Sequence, residues 1–328
     1  MTGDMTRLKR WPALDAARGL ALCAMFIFHL CWDLAYFEFL PQSFLDSPIF
    51  HGFGHAIAGA FVFIAGIGLT LASRGGLDLH AALMRIGMIA LAALGITAVT
   101  YLIFPDAFIY FGILHLLALA SLMGLALLNA PAWVLAALAI AVLVLPALVS
   151  EPAFDAPSLQ WLGLGTHPPL TNDWRPLTPW LGVLLLGQLT GRVIASHGLP
   201  GTLDTWSAQN ATSRTLVLGG RHTLLIYLTH QPVLIGLVFV AAMVLQPGAS
   251  DITASSSNFM GACERQCVTT GGEEALCTRA CGCIAQEAGA QGMSRAVARN
   301  QLTADEQVKF NDITKACLRR LVPQPPSP

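Results

Sequence analysis

The sequence predicts an all-α polytopic membrane bundle of about seven transmembrane helices followed by a small, disulfide-stapled helical tail. Three observations carry that expectation. The 328 residues are 55% hydrophobic and 11% charged, with a mean hydropathy of +0.62, where soluble domains carry about 25% charged residues. The charges are unevenly placed: residues 1–250 hold 10 Lys/Arg and 11 Asp/Glu, and the last 78 residues hold 8 and 8. Six of the eight cysteines also fall in that tail. A net charge of −1 without a basic stripe excludes nucleic acid as a partner.

A helix needs about 20 apolar residues to cross a hydrocarbon core of roughly 30 Å. Seven stretches meet this, at 14–37, 53–72, 83–104, 109–129, 131–149, 177–196 and 222–246. The first follows Arg7, Lys9 and Arg10 like a signal peptide. It is too long for one and contains Asp15, Arg18, His29 and Asp33, so it is expected to be retained. Arg74, Arg85, Arg192, Arg214 and Arg221 mark the same side as Arg7 to Arg10. The alternate loops carry Glu38, Asp46, Asp106, Glu151, Asp155 and Asp173, with a single Arg175. The positive-inside rule then orients the chain: residues 1–13 form a cytoplasmic N-terminus and 14–246 the seven-span membrane domain. Residues 247–258 form a linker, and 259–328 a Cys-rich helical domain outside the cytoplasm. The host membrane is expected to be a bacterial inner membrane, with the tail in the periplasm.

In the tail, Cys263, Cys267, Cys277, Cys281, Cys283 and Cys317 form an even set in a polar segment, as in a disulfide framework of an oxidising compartment. The C-x3-C, nine residues, C-x3-C spacing suits a helical hairpin stapled twice, with Cys283 and Cys317 left for a third bridge. A cysteine-only metal site is the competing reading, and no metal is expected. Thr303 and Glu306 form a capping-box start for a last helix. Cys23 and Cys31, roughly 12 Å apart along span one, are too far apart to bridge.

Ionisable residues inside a span are costly and mark function. From Arg18 to His29 the helix turns by about 1100°, returning to within about 20° of the same direction. Asp15–Arg18 and His29–Asp33 are i,i+3 and i,i+4 pairs, so one face carries a charged stripe. An interfacial ion pair at the start and a satisfied His in a helix contact are the plain alternatives. A carboxylate one turn from an imidazole can orient it as a general base, which favours function. The separation of Arg18 and His29, about 16 Å, is comparable with the pantetheine arm of CoA. Arg221, Tyr227, His230 and Gln231 sit in matching order on span seven. His29, His51, His55, His115 and His230 are expected to collect in the outer half. The loop 150–176, with Trp161, His167, Asn172, Asp173, Trp174 and Arg175, is long enough for an acceptor lid, although interfacial Trp residues look the same. Pro232 is expected to kink span seven. Gly112, Gly182 and Gly187 are expected at packing positions.

D-x-x-R-G-x-A from Asp15, with His29 fourteen residues after the Asp, resembles the first-span signature of membrane acyltransferases that O-acylate sugars. FVFIAGIGLTLASR at 61–74, YFGILHLLAL at 110–119, PLTPWLGVLLLG at 176–187 and GRHTLLIYLTHQPVL at 220–234 resemble a sister family, the heparan-alpha-glucosaminide N-acetyltransferase-like proteins. The resemblance covers about residues 8–246 and implies acyl transfer from cytoplasmic acetyl-CoA, or another short acyl-CoA, to a glycan or amino sugar across the membrane. The O-acyltransferase pattern points to His29 as the base, with Asp33. In the lysosomal N-acetyltransferases the catalytic His follows the first span, which nominates His51 or His55. Asp15, Arg18 and Arg221 are the candidate donor-binding residues; His115, Trp174, Arg175, Tyr227, His230 and Gln231 are the candidates for the acceptor. Expected partners are lipid, the glycan and a periplasmic partner for the tail; the oligomeric state stays open. A transporter or proton relay built on the same buried groups is the alternative function, and a haem protein with His ligands a third.

Overall fold

A computed structural model describes residues 11–37, 39–74, 76–105, 107–199, 201–245, 252–293, 296–297 and 302–321. The described residues are helical and include no strand. Two compact units are formed, one of Met1–Leu34 with Ser43–Val238, the other of Ala35–Gln42 with Phe239–Pro328.

The apolar helices are α1 (Pro12–Tyr36), α3 (Pro48–Ala72), α4 (Leu79–Ile103), α5 (Ile113–Ala126), α6 (Ala132–Leu148), α7 (Leu177–His197) and α9 (Thr223–Leu245). Each corresponds to one expected span. A single turn, α2 (Gln42–Leu45), precedes α3. Local chemistry sets the starts. Ser47 Oγ accepts from the Phe50 N–H with Pro48 at the first helical position of α3, and Asp78 Oδ1 accepts from the Ala81 N–H of α4.

Five of these helices are long and apolar enough to cross a membrane. The other two, α5 and α6, have 14 and 17 residues, about 21 and 26 Å of rise. For α5 the expected start at 109 is corrected to Ile113. Residues 107–112 are non-helical instead: Thr97 Oγ1 donates to the Ile109 carbonyl, and the Ile109 N–H donates to Thr100 Oγ1. The Asn172 and Arg175 N–H groups donate to the Ala107 and Phe111 carbonyls. Asp173 then caps α5 from a distance, its Oδ2 accepting from the Ile113 N–H at 2.8 Å. At the other end Arg192 Nη2 donates to the Leu128 carbonyl at 2.9 Å, a cation where the helix dipole favours one.

Helix α7 is the centre of the first unit, packed against α3, α5 and α6. Small residues allow this approach. A Cβ on Gly66 would strike the Leu184 carbonyl, one on Gly187 the Phe63 carbonyl, and one on Gly182 the Ala139 carbonyl. Val62, Leu116, Leu135, Leu184 and Leu185 fill the interior between them. Gly182 and Gly187 are therefore packing residues, as expected, and Gly112 gives room to the Asp173 carboxylate.

An unexpected helix, α8 (Ala211–Arg221), precedes α9. Asn210 caps it by accepting from the Ser213 N–H at 2.8 Å, and His222 (φ −108°, ψ 29°) breaks it from α9. It crosses α1 closely: Gly19 meets the Leu216 carbonyl and Gly220 the Asp15 carbonyl, with no room for a side chain on either glycine.

The second unit contains α10 (Ile252–Thr269), α11 (Glu274–Ala290) and a last helix, α12 (Ala304–Leu321). The bridges are Cys263–Cys281, Cys267–Cys277 and Cys283–Cys317, with Cα separations of 5.8, 5.6 and 5.8 Å. This is the doubly stapled hairpin with a third bridge that the spacing predicts, and the cysteine-only metal alternative falls with it. Thr303 and Glu306 cap α12 reciprocally. Of the expected linker at 247–258, residues 247–251 lie outside the described residues, and 252–258 are helical as the start of α10. The Ser/Thr-rich stretch 252–258 contains no Gly or Pro to stop that helix.

Candidate active site on α1 and α9

Helices α1 and α9 run in the same direction side by side, touching at matched levels. At the N-terminal end of α1, Asp15 accepts from two guanidinium groups. Arg18 Nη1 lies 2.9 Å from its Oδ1 and Arg221 Nε 3.3 Å from its Oδ2. The three residues nominated for the donor thus form one cluster, assembled by the α1–α8 crossing. Gly68 of α3 leaves room for the Arg18 side chain, whose Nη2 stands 2.8 Å from where a Cβ would be. Leu22, Met25, Ile57 and Ile226 pack the middle level.

Further along α1, His29 and His230 meet. His230 Nδ1 is 2.6 Å from the Tyr227 carbonyl, and His230 Nε2 is 3.2 Å from His29 Nδ1. His29 Nδ1 also lies 3.0 Å from the Met25 carbonyl. These partners fix the tautomers of two neutral rings. A carbonyl only accepts, so His230 carries its proton on Nδ1 and accepts at Nε2. His29 Nδ1 faces two acceptors and is therefore the donor. The second nitrogen of His29, Nε2, keeps its lone pair and makes no hydrogen bond among the described residues.

The expected orienting role of Asp33 is corrected here. Asp33 does not bond to His29; its Oδ1 accepts from Gln231 Nε2 at 2.7 Å. A helical His can donate from Nδ1 to the carbonyl four residues back, and Met25 occupies that place, so backbone and His230 hold the ring. Asp33 is fully buried, and its Oδ2, like Gln231 Oε1, has no hydrogen-bond partner among the described residues. Pro232 follows inside α9.

His51 and His55 are exposed near the start of α3, beside Phe50 and Phe53, which pack on Phe28. His55 Nδ1 donates to the His51 carbonyl at 2.8 Å, and the ring stacks on Trp180 with centroids 5.8 Å apart. Tyr227 is half-buried, its ring 5.5 Å from that of His230. Arg175 lies within electrostatic reach of both His29 and Tyr227. It also pairs with Asp173 at 3.8 Å and donates to the Trp174 carbonyl. Trp174 itself donates to the Gln160 carbonyl.

The structure places His115 at the start of α5, with both ring nitrogens engaged by the protein. Its Nδ1 accepts from the Gly112 N–H at 3.2 Å, and its Nε2 lies 3.1 Å from Thr97 Oγ1, whose own proton goes to Ile109. Both nitrogens are occupied in holding the 107–112 segment. The residue missing from the nominated set is Asp173. Burial pushes its carboxyl above the ordinary carboxylate range, against the pull of Arg175 and the Ile113 N–H. It links the loop to α5 and acts on Tyr227. Its presence in the polar loop run was the only sequence signal for it.

Helices of this length and apolar composition, with Asp15, Asp33 and His230 buried among them, are those of an integral membrane protein. A family model described as "Heparan-alpha-glucosaminide N-acetyltransferase, catalytic" matches residues 10–232, two thirds of the chain. The chain belongs to this family of membrane acetyltransferases, whose members use acetyl-CoA as donor. No curated protein and no solved structure matches it.

Proposed function

We propose that the protein transfers an acetyl group from cytoplasmic acetyl-CoA to an amino sugar or other glycan group on the opposite face of the membrane. The observation that carries this reading is the arrangement of α1 against α8 and α9. An arginine cluster stands at one end, and an imidazole with a free Nε2 about 16 Å further along. Arg18 and Arg221 suit the phosphates of CoA because a guanidinium presents its donors in a fixed fork. Asp15 holds both guanidinium groups in place. The extended pantetheine arm then brings the thioester to His29.

At that level His29 Nε2 takes the proton of the attacking amine or hydroxyl. The nucleophile bonds to the acetyl carbon, the C–S bond breaks, and the proton returns from His29 to the departing thiolate. His230, Tyr227 and Arg175 border this position, and Trp174 lies in the loop beside it. His51 and His55 are the alternative bases, but neither has a second side chain fixing its tautomer among the described contacts. The host membrane in this reading is a bacterial inner membrane, with the N-terminus cytoplasmic and the tail in the periplasm, where its three bridges are stable. The tail offers a surface for a periplasmic partner.

Purified protein incubated with acetyl-CoA and methyl α-glucosaminide tests the assignment. The expected result is acetylated product with wild type, a loss of at least a hundredfold in His29→Ala, and near wild-type rates in His51→Ala and His55→Ala. Full activity in His29→Ala, or a loss confined to His51→Ala or His55→Ala, overturns it.

A further inference from the structure

We propose that Asp33 and Gln231 form an acceptor subsite that recognises a ring hydroxyl next to the reacting group, making the pair a specificity determinant. The proposal rests on the acetyl-transfer reading above. Asp33 is fully buried, yet it receives one hydrogen bond, from Gln231 Nε2. Asp33 Oδ2 and Gln231 Oε1 are both buried, and neither has a partner among the described residues. Both are acceptors with the Asp33 carboxyl ionised, so what they lack is a donor. A buried acceptor left unpaired is costly, and a cost of this kind persists where a ligand relieves it during turnover.

Position selects the occupant. Gln231 follows His230, which touches His29, and Asp33 lies one turn along α1 from His29, about 6 Å at 1.5 Å rise per residue. That is the width of one pyranose ring. A sugar whose amine or hydroxyl attacks at His29 Nε2 therefore places another ring hydroxyl at the Asp33–Gln231 level. That hydroxyl donates to the carboxylate in a charge-assisted hydrogen bond. The Gln231 amide offers its carbonyl oxygen to a second donor on the same ring. A site built in this way rejects an analogue lacking the hydroxyl far more strongly than an apolar wall can.

The test uses full-length protein, acetyl-CoA, methyl α-glucosaminide and its 3-deoxy, 4-deoxy and 6-deoxy analogues. In wild type, one analogue is expected to show at least a tenfold higher KM than the parent sugar. Asp33→Asn keeps the size of the side chain and exchanges an acceptor for a donor. It is expected to raise the KM of the parent at least tenfold, to erase the difference between parent and that analogue, and to leave the KM of acetyl-CoA unchanged. Gln231→Leu, on the partner helix, is expected to raise the parent KM in the same direction if Asp33→Asn fails to fold. An Asp33→Asn protein that treats parent and analogues as wild type does overturns the subsite, as does one slowed equally on all four sugars; an internal water alone on these oxygens gives the first result. His29→Ala run alongside separates the two claims: its full activity removes the acetyl-transfer assignment, whereas its inactivity with a neutral Asp33→Asn removes the subsite only.

Discussion

Replacing His230 separates a base from the residue that holds it. In the structure His230 Nε2 accepts from His29 Nδ1 at 3.2 Å, while the Met25 carbonyl accepts from the same nitrogen at 3.0 Å. His230→Ala therefore removes one of two acceptors and leaves the ring partly held. A hydrogen bond of this kind contributes about 0.5–1.5 kcal/mol, and 1.36 kcal/mol is a factor of ten in rate, so turnover should fall about 2- to 10-fold. Removing a general base costs roughly 10²- to 10⁴-fold, the loss expected for His29→Ala. His230→Gln should recover most of the activity, because the Gln amide oxygen can stand near the position of Nε2 and only accepts. Steady-state acetyl transfer to methyl α-glucosaminide measures all three variants. If His230→Ala falls as far as His29→Ala and Gln gives no recovery, His230 is itself the base and the tautomer reasoning is refuted.

Gly220→Ala places a methyl against the Asp15 carbonyl; forcing α8 from α1 costs about 1–3 kcal/mol, and the acetyl-CoA KM should rise several-fold with kcat little changed, whereas unchanged melting and KM refute that close crossing. The bridges close loops of different size, with sequence separations of 34 for Cys283–Cys317 and 10 for Cys267–Cys277. Chain entropy makes the first worth about 4 kcal/mol and the second about 3, so calorimetry should find the tail more destabilised by Cys283→Ser/Cys317→Ser than by Cys267→Ser/Cys277→Ser. Asp155 is held down to about 2, chiefly by the Thr166 hydroxyl and then the His167 N–H. A depressed carboxyl stabilises the fold above its ordinary value of 3.8 and loses that contribution as pH falls towards 2. Fluorescence of nearby loop tryptophans should therefore report an acid transition in that window that is absent in Asp155→Asn.

Much of the architecture was legible because the membrane imposes it: seven apolar stretches became seven apolar helices, and the cysteine spacing pointed to a stapled hairpin with a third bridge but not to which hairpin cysteines pair. Helix ends were less legible where polar side chains from distant segments decide them. Residues 109–112 are apolar enough to continue a span, but Thr97, Thr100 and the Arg175 N–H capture their backbone, and Asp173 caps the helix that starts at Ile113. Helix α8 was read as loop because its Thr, Ser, Val and Gly content has low helix preference, and only its Asn210 cap signals a start. Within the site, periodicity correctly aligned Asp15, Arg18, His29 and Asp33 on α1. It did not say which side chains bond, because those choices depend on α9: Gln231 takes Asp33, and His230 takes His29.

The central claim is transfer through the membrane along the α1–α9 face. Proteoliposomes with methyl α-glucosaminide trapped inside and radiolabelled acetyl-CoA outside test it directly, in the fraction of protein whose N-terminus faces out. The account predicts labelled sugar in the lumen with wild type and none above background with His29→Ala. Labelling only when donor and acceptor share a compartment, or lumenal labelling that survives His29→Ala, contradicts it.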